Sequence, residues 1–117
     1  YQDSCHLAHV QKVTTAPRQL LRAVPGLQLI EMAEADRCCG SAGSYSLLHF
    51  EVSMRLLAEK MGHVKETGAS VVVTGNPGCL LQLRLGIGRA GLTGTLRAEH
   101  TFDLLARACR NLPRLEP

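Results

Sequence analysis

Four of the five cysteines in this chain stand in three short segments: Asp3-Ser4-Cys5-His6, Arg37-Cys38-Cys39-Gly40-Ser41-Ala42-Gly43 and Gly75-Asn76-Pro77-Gly78-Cys79. Each segment falls at the boundary of an expected element, beside small or turn-forming residues. A cysteine that only fills a core has no reason to sit at a chain reversal. Thiolates gathered from three reversals are the donor set of a soft metal ion or an iron–sulfur cluster. Four thiolates suffice for tetrahedral zinc or for a four-iron cluster, and the residues by themselves leave that choice open.

The neighbours of these cysteines suit the same chemistry. Cys38 and Cys39 are adjacent, so a regular strand would send their side chains to opposite faces. The Gly40-Ser41-Ala42-Gly43 loop that follows gives the backbone freedom to wrap a bulky group and to bring N–H groups towards its sulfurs. Cys79 is expected in the first turn of a helix, where the macrodipole favours a thiolate. Asn76 before Pro77 reads as that helix's N-cap, with proline at its first position. Asn76, Gly40 and His6 are candidates for supporting the ligands from behind, His6 by donating to a sulfur or orienting a ligand. His9 is a weaker candidate, while His49 and His63 are expected in solvent, as are Asp3 and Asp36. Cys109 is expected as a small core residue. A thiol nucleophile with His6 as base is a further reading of the same residues. The glycine loop lacks the lysine of a phosphate-binding loop and does not match GxGxxG.

The elements that must position these residues alternate. Residues 27–32 alternate apolar and polar as a half-covered strand does, and Val71-Val72-Val73-Thr74 reads as a central parallel strand closed by Gly75. Tyr1–Ser4 and Thr95–Glu99 are weaker strands. The first helix begins near Pro17, carries Leu20, Leu21 and Val24, and ends at Pro25-Gly26. The longest is expected over 47–67 on Leu47, Phe50, Met54, Leu57, Met61 and Val64, with Gly68 as its stop. The third follows Asn76-Pro77 with Leu80, Leu81, Leu83 and Leu85. The fourth is capped by Thr101 and carries Leu104, Leu105 and Ala108. This predicts an α/β domain with a four-stranded, mostly parallel sheet flanked by helices. Sites on such sheets lie beyond the carboxyl ends of the strands, where Cys5, Cys38 and Cys79 all fall.

At 117 residues, 45% hydrophobic and 20% charged, the chain is expected to be one globular domain over 1–117. No apolar run approaches the ~20 residues of a membrane span. A net charge of +3, no Trp, two Tyr and two Phe offer no platform for nucleic acid. Five cysteines, an odd count in an α/β pattern without a secretory signal, point to a reducing, cytoplasmic compartment. The chain opens at Tyr1 directly into a strand-like segment, so it is expected to be part of a longer protein.

DSCHLAH, DRCCGSAGSYSL and VVTGNPGCLLQL together resemble the CCG (cysteine-rich) domain. That domain occurs in iron–sulfur subunits of glycolate oxidase and lactate-utilisation enzymes and in the cysteine-rich component of heterodisulfide reductase. The resemblance covers nearly the whole chain. It implies an α/β electron-transfer module with Cys5, Cys38, Cys39 and Cys79 as the cluster- or metal-binding residues. Heterodisulfide reductase-type domains close on Cys-x-x-Cys where this chain has Asn76-Pro77-Gly78-Cys79. The implied site therefore has four cysteines, holding a 4Fe-4S cluster or, alternatively, a structural zinc ion for subunit docking. The implied partners are flavin-containing oxidase subunits and a ferredoxin-like region of the parent chain. The implied acceptor is quinone-linked, which would bring the complex to the inner face of the membrane. The domain alone would not be a complete enzyme.

Overall fold

Apolar periodicity sets where the helices form, and left-handed glycines stop two of them. In the computed structural model, which describes residues 1–111, a π-helical turn (His6–Val10) precedes α1 (Thr15–Arg22), α2 (Tyr45–Leu48) and α3 (Phe50–Glu66). Strand β1 (Val71–Thr74), α4 (Pro77–Arg89), β2 (Arg97–His100) and α5 (Thr101–Arg110) follow. The last six residues of the expected 1–117 unit lie outside the described residues. The helix expected over 47–67 is two helices, parted at His49, whose φ of −128° and ψ of 56° leave the helical region. Gly68, at φ +65°, takes the left-handed position that stops α3. Helix α5 is capped by His100 rather than Thr101: the His100 side chain accepts the Phe102 N–H, and Thr101 is the first helical residue.

β1 and β2 pair in parallel, from Val71 with Arg97 to Thr74 with His100, across the α4 crossover. The expected central strand has the expected bounds. The final strand begins two residues later than expected, because Thr95 and Leu96 close turns onto the Leu92 carbonyl. The expected four-stranded sheet is thus two strands among the described residues. Tyr1–Ser4 contributes one parallel bridge, Gln2 with Thr74. Residues 27–32 form no ladder, yet Leu27 and Leu29 still pack on the cluster of Tyr1, Leu21, Val73 and Leu104. A cleft of about 650 Å³ keeps Leu27–Ile30 away from β1.

The main core lies between the sheet and the helices α3 and α4, on Leu57, Met61, Val64, Val72, Leu83, Ile87, Leu96 and Ala98. Gly86 permits the close crossing of the two helices: a Cβ there would stand 2.8 Å from Leu57 Cδ1 and from Met61. The buried face of α4 is Cys79, Gln82, Leu83, Gly86 and Ile87, so the expected stripe residues Leu81 and Leu85 face solvent. Leu20, Leu47 and Phe50 are exposed as well. No helix among the described residues is long and apolar enough to cross a membrane.

Asp3 is buried, not solvated. Arg18 of α1 holds both its carboxylate oxygens, at 2.9 and 2.7 Å, and also reaches Glu31 Oε1 at 2.9 Å. One guanidinium therefore ties the N-terminal segment, α1 and the 27–32 segment together, and these carboxylates raise its pKa above the ordinary value.

Candidate metal centre

The Cys5 segment, the Cys38-Cys39 segment and the start of α4 meet beyond the carboxyl end of β1. They enclose a cavity of about 260 Å³ lined by Cys5, Cys38, Cys39 and Cys79, with His6, Ser41 and Asn76 among the other wall residues. Gln2 helps to bring the segments together: its side-chain amide donates to the Arg37 carbonyl at 3.1 Å, just before Cys38. All five cysteines are free thiols.

The cysteines are placed by their local chemistry. Asn76 Oδ1 accepts the N–H groups of Gly78 at 2.8 Å and Cys79 at 3.1 Å, so the cap fixes Cys79 in the first turn of α4. Gly40, at φ +89°, turns the chain after Cys39 directly against α3. A Cβ at Gly40 would lie 2.5 Å from the Ser53 carbonyl oxygen and 3.2 Å from Gln82 Nε2. The same turn is clamped by a buried relay: Gln82 Nε2 donates to Ser53 Oγ at 3.0 Å, and Ser53 Oγ donates to the Gly40 carbonyl at 2.7 Å. On the opposite side, a Cβ at Gly78 would stand 2.9 Å from Ser41 Oγ, so the loop and the start of α4 touch.

The site favours negative charge on sulfur. The Gly40 N–H points at Cys38 Sγ, 3.3 Å away. The Cys79 thiol donates to the Cys39 sulfur and, with the backbone N–H groups of Ser41 and Cys39, brings Cys39 down to about 6 against the opposing effect of burial. Cys79 is pushed up strongly, first by that same hydrogen bond and then by burial. The two sulfurs share one proton, and the first thiolate of the pair forms on Cys39. Lys60, 1% exposed, donates to the Glu34 carbonyl at 2.5 Å. Burial lowers its pKa, while the sulfurs of Cys39 and Cys38 and the carboxylates of Asp36 and Glu34 act to raise it. No three His, Cys, Asp or Glu side chains among the described residues form a group that could hold a metal ion. The Cys39 and Cys79 sulfurs are in hydrogen-bond contact with each other.

A family model described as "Cysteine-rich domain" (CCG) matches residues 1–84, which include all four cavity cysteines. The chain belongs to the CCG cysteine-rich domain family. The chain is 54% identical over 108 residues to the probable glycolate oxidase iron–sulfur subunit of Bacillus subtilis, covering 92% of this chain and 24% of the relative. It is 40% identical over 105 residues to lactate utilization protein A of Lysinibacillus sphaericus, covering 90% and 45%, and 37% identical to that of Shouchella clausii, covering 90% and 43%. The chain thus spans a quarter to just under half the length of these relatives.

Within this CCG domain the residues singled out by type fall on both sides of the cavity wall. Cys5, Cys38, Cys39, Cys79, His6 and Asn76 line it, and Gly40 shapes the turn behind it. His9 is turned away, its Nε2 at 2.9 Å from the Asp36 carbonyl. His63 is half-buried beside Glu34 and Glu66, not fully solvated. Cys109 is exposed on α5 instead of filling the core, because the α5 face that packs inward carries Thr101 and Leu104. Ser53, Gln82, Lys60 and Gln2 join the site without having been marked by the sequence. Gln82 has one available signal: it stands three residues after Cys79, one helical turn along the same face.

Proposed function

We propose that this domain is the iron–sulfur-binding, electron-transfer part of a larger glycolate- or lactate-oxidising assembly, with a 4Fe-4S cluster held by Cys5, Cys38, Cys39 and Cys79. One observation carries the reading: four cysteines from three distant segments line a single cavity. The residues fit such a group. The donors are all thiols, N–H groups are aimed at two of the sulfurs, and the N-terminus of α4 faces the cavity. The names of the relatives support the same chemistry.

When bound, such a cluster accepts and returns single electrons. The protein's part is to keep the thiolates in register and to offset their charge. The Asn76 cap, the Gly40 turn and the Ser53–Gln82 relay do the first; backbone N–H groups and Lys60 do the second. Oxidation of the hydroxyacid would belong to a flavin-containing subunit. Electrons would pass through clusters of a ferredoxin-like region and this domain to a quinone-linked acceptor at the cytoplasmic face of the membrane.

Metal and sulfide analysis of the anaerobically purified full-length polypeptide, beside its Cys39→Ser variant, tests this. Loss of about four iron and four sulfide per polypeptide in the variant, with the matching visible absorbance, is the expected result. Loss of about one zinc without any change in colour would make the site structural, and an unchanged metal content would overturn both readings.

A further inference from the structure

One edge of β1 is left without a partner along most of its length. Backbone groups of alternate strand residues point to opposite edges. The Ser70 carbonyl accepts the Arg97 N–H on the β2 side, and the Val73 carbonyl accepts the Gln2 N–H at 2.8 Å on the other. The N–H groups of Val71 and Val73 and the carbonyl of Val71 therefore face away from β2. Among the described residues no backbone hydrogen bond reaches them. They look instead into the 650 Å³ cleft, whose walls include Leu27–Ile30 and Tyr1.

Tyr1 lines this cleft. Its side chain is buried, and desolvation lowers the pKa of its α-amino group despite the nearby carboxylates of Glu31 and Asp3. A charged terminus is poorly placed there; an uncharged peptide bond is not. On the other side Asp3 N–H already donates to the Ala35 carbonyl at 3.0 Å, so the N-terminal segment is flanked by both β1 and the chain after residue 32. The cleft is thus an empty strand position between β1 and residues 27–32.

We propose that this groove is the seat of a β-strand formed by the residues leading into Tyr1 in the longer polypeptide. This chain spans a quarter to just under half the length of its relatives, so a polypeptide of their length has further residues to supply it. Extending the Gln2–Thr74 bridge backwards in parallel register fixes the pairing. The residue immediately before Tyr1 donates its N–H to the Val71 carbonyl and accepts the Val73 N–H. Its other edge, two residues at a time, serves Leu27–Met32, which then become the fourth strand. The alternation of Leu27 and Leu29 inward against Gln28 and Ile30 outward is ready for that role. The completed order is 27–32, N-terminal strand, β1, β2. Because the inserted strand runs straight into Cys5, its seating also sets the position of one wall cysteine.

Hydrogen exchange on the full-length polypeptide tests the pairing. Val72 and Thr74, whose N–H groups face β2, are internal controls. Val71 and Val73 should exchange within about tenfold of them, where an unpaired edge would exchange on the order of 100-fold faster or more. Fast exchange at Val71 and Val73 overturns the proposal. A photo-crosslinking residue in place of Gln28, in the cleft wall, identifies the occupant. Crosslinks should map to the few residues directly before Tyr1. Crosslinks to a remote segment or to another protein chain would overturn it. Both readouts are independent of whether a metal is bound, so they separate this proposal from the cluster reading.

Discussion

The hydroxyl of Ser53, in the first turn of the long helix α3, donates a 2.7 Å hydrogen bond to the carbonyl of Gly40, the residue that follows the paired cysteines. Ser53 is fully buried, and its oxygen in turn accepts from Gln82 on α4. A loop that would otherwise be free is thereby fastened to both helices of the core.

Ser53→Ala should therefore loosen the cysteine loop without unfolding the helices. It strips the Gly40 carbonyl and the Gln82 amide of a partner in a buried place, at a cost of about 1–3 kcal/mol. The expected outcome is unchanged far-ultraviolet circular dichroism, a lower melting point and faster alkylation of Cys38. In the Ser53→Ala, Gln82→Leu double variant the amide that lost its partner is gone as well, so its destabilisation should fall short of the sum of the two singles.

Gly40→Ala should be more severe. The new methyl group would meet the Ser53 carbonyl oxygen at 2.5 Å, and φ +89° is strained for any residue with a Cβ. Backbone strain alone is about 1–2 kcal/mol. Gly43→Ala is the control, since its φ of +61° is also left-handed while a Cβ there meets nothing within 4 Å. Thermal melts should rank wild type above Gly43→Ala above Gly40→Ala, with bound metal following the same order.

In the metal-free protein, thiolate absorbance should show one group titrating near pH 6, assigned to Cys39. The Cys79 hydrogen bond is the main cause, so Cys79→Ala should move that titration upward towards the ordinary thiol range. Above about pH 6 Cys39 is already deprotonated, and metal loading then has to displace the proton shared with Cys79. Loading should become faster as pH rises from about 6 to about 9 in the wild type, since thiolates and not thiols bind metal. A titration unmoved by Cys79→Ala would contradict the shared proton.

Lys60→Met removes a buried cation whose charge acts on Cys39 and Cys38. Adding an electron to a cluster on those thiolates becomes less favourable, so the reduction potential should fall. An effect of about 1–2 kcal/mol corresponds to roughly 40–90 mV for one electron. Lys60→Arg should leave the potential within a fraction of that shift. Spectroelectrochemistry of the reconstituted full-length protein reads both.

Arg18→Met strands the Asp3 carboxylate in a buried position two residues before Cys5. Removing one partner of a buried ion pair costs about 3–5 kcal/mol. An Asp3→Asn, Arg18→Met double variant should recover part of the stability at neutral pH.

The cysteine constellation, the β1 strand and the Asn76-Pro77 cap are legible in the sequence because each is a local pattern: a spacing, a β-branched run, a capping side chain before proline. The break at His49 is not, since the apolar period of Leu47, Phe50 and Met54 continues through it and only the backbone departs. Leu81 and Leu85 mislead for a related reason. Counting leucines locates the α4 stripe on them, but the face pointing inward is chosen by the close approach at Gly86 and by the need for Gln82 to reach Ser53. The alternation of 27–32 is genuine, yet a ladder needs a neighbour, and periodicity in one segment says nothing about what lies beside it. Lys60 carries no signal, because a single lysine on a helix is ordinarily solvent-facing.

Cys5 and Cys79 stand near opposite ends of the family match, and they become neighbours only after Gln2 has paired beside Thr74. During synthesis the pocket cannot exist until the first turn of α4 has left the ribosome and docked. Any inorganic centre held by all four cysteines is therefore completed only at that late stage, with its binding coupled to the docking of α4. Closure of this kind is long-range, and a chain mispaired at its first strand would bring together only three of the four sulfurs.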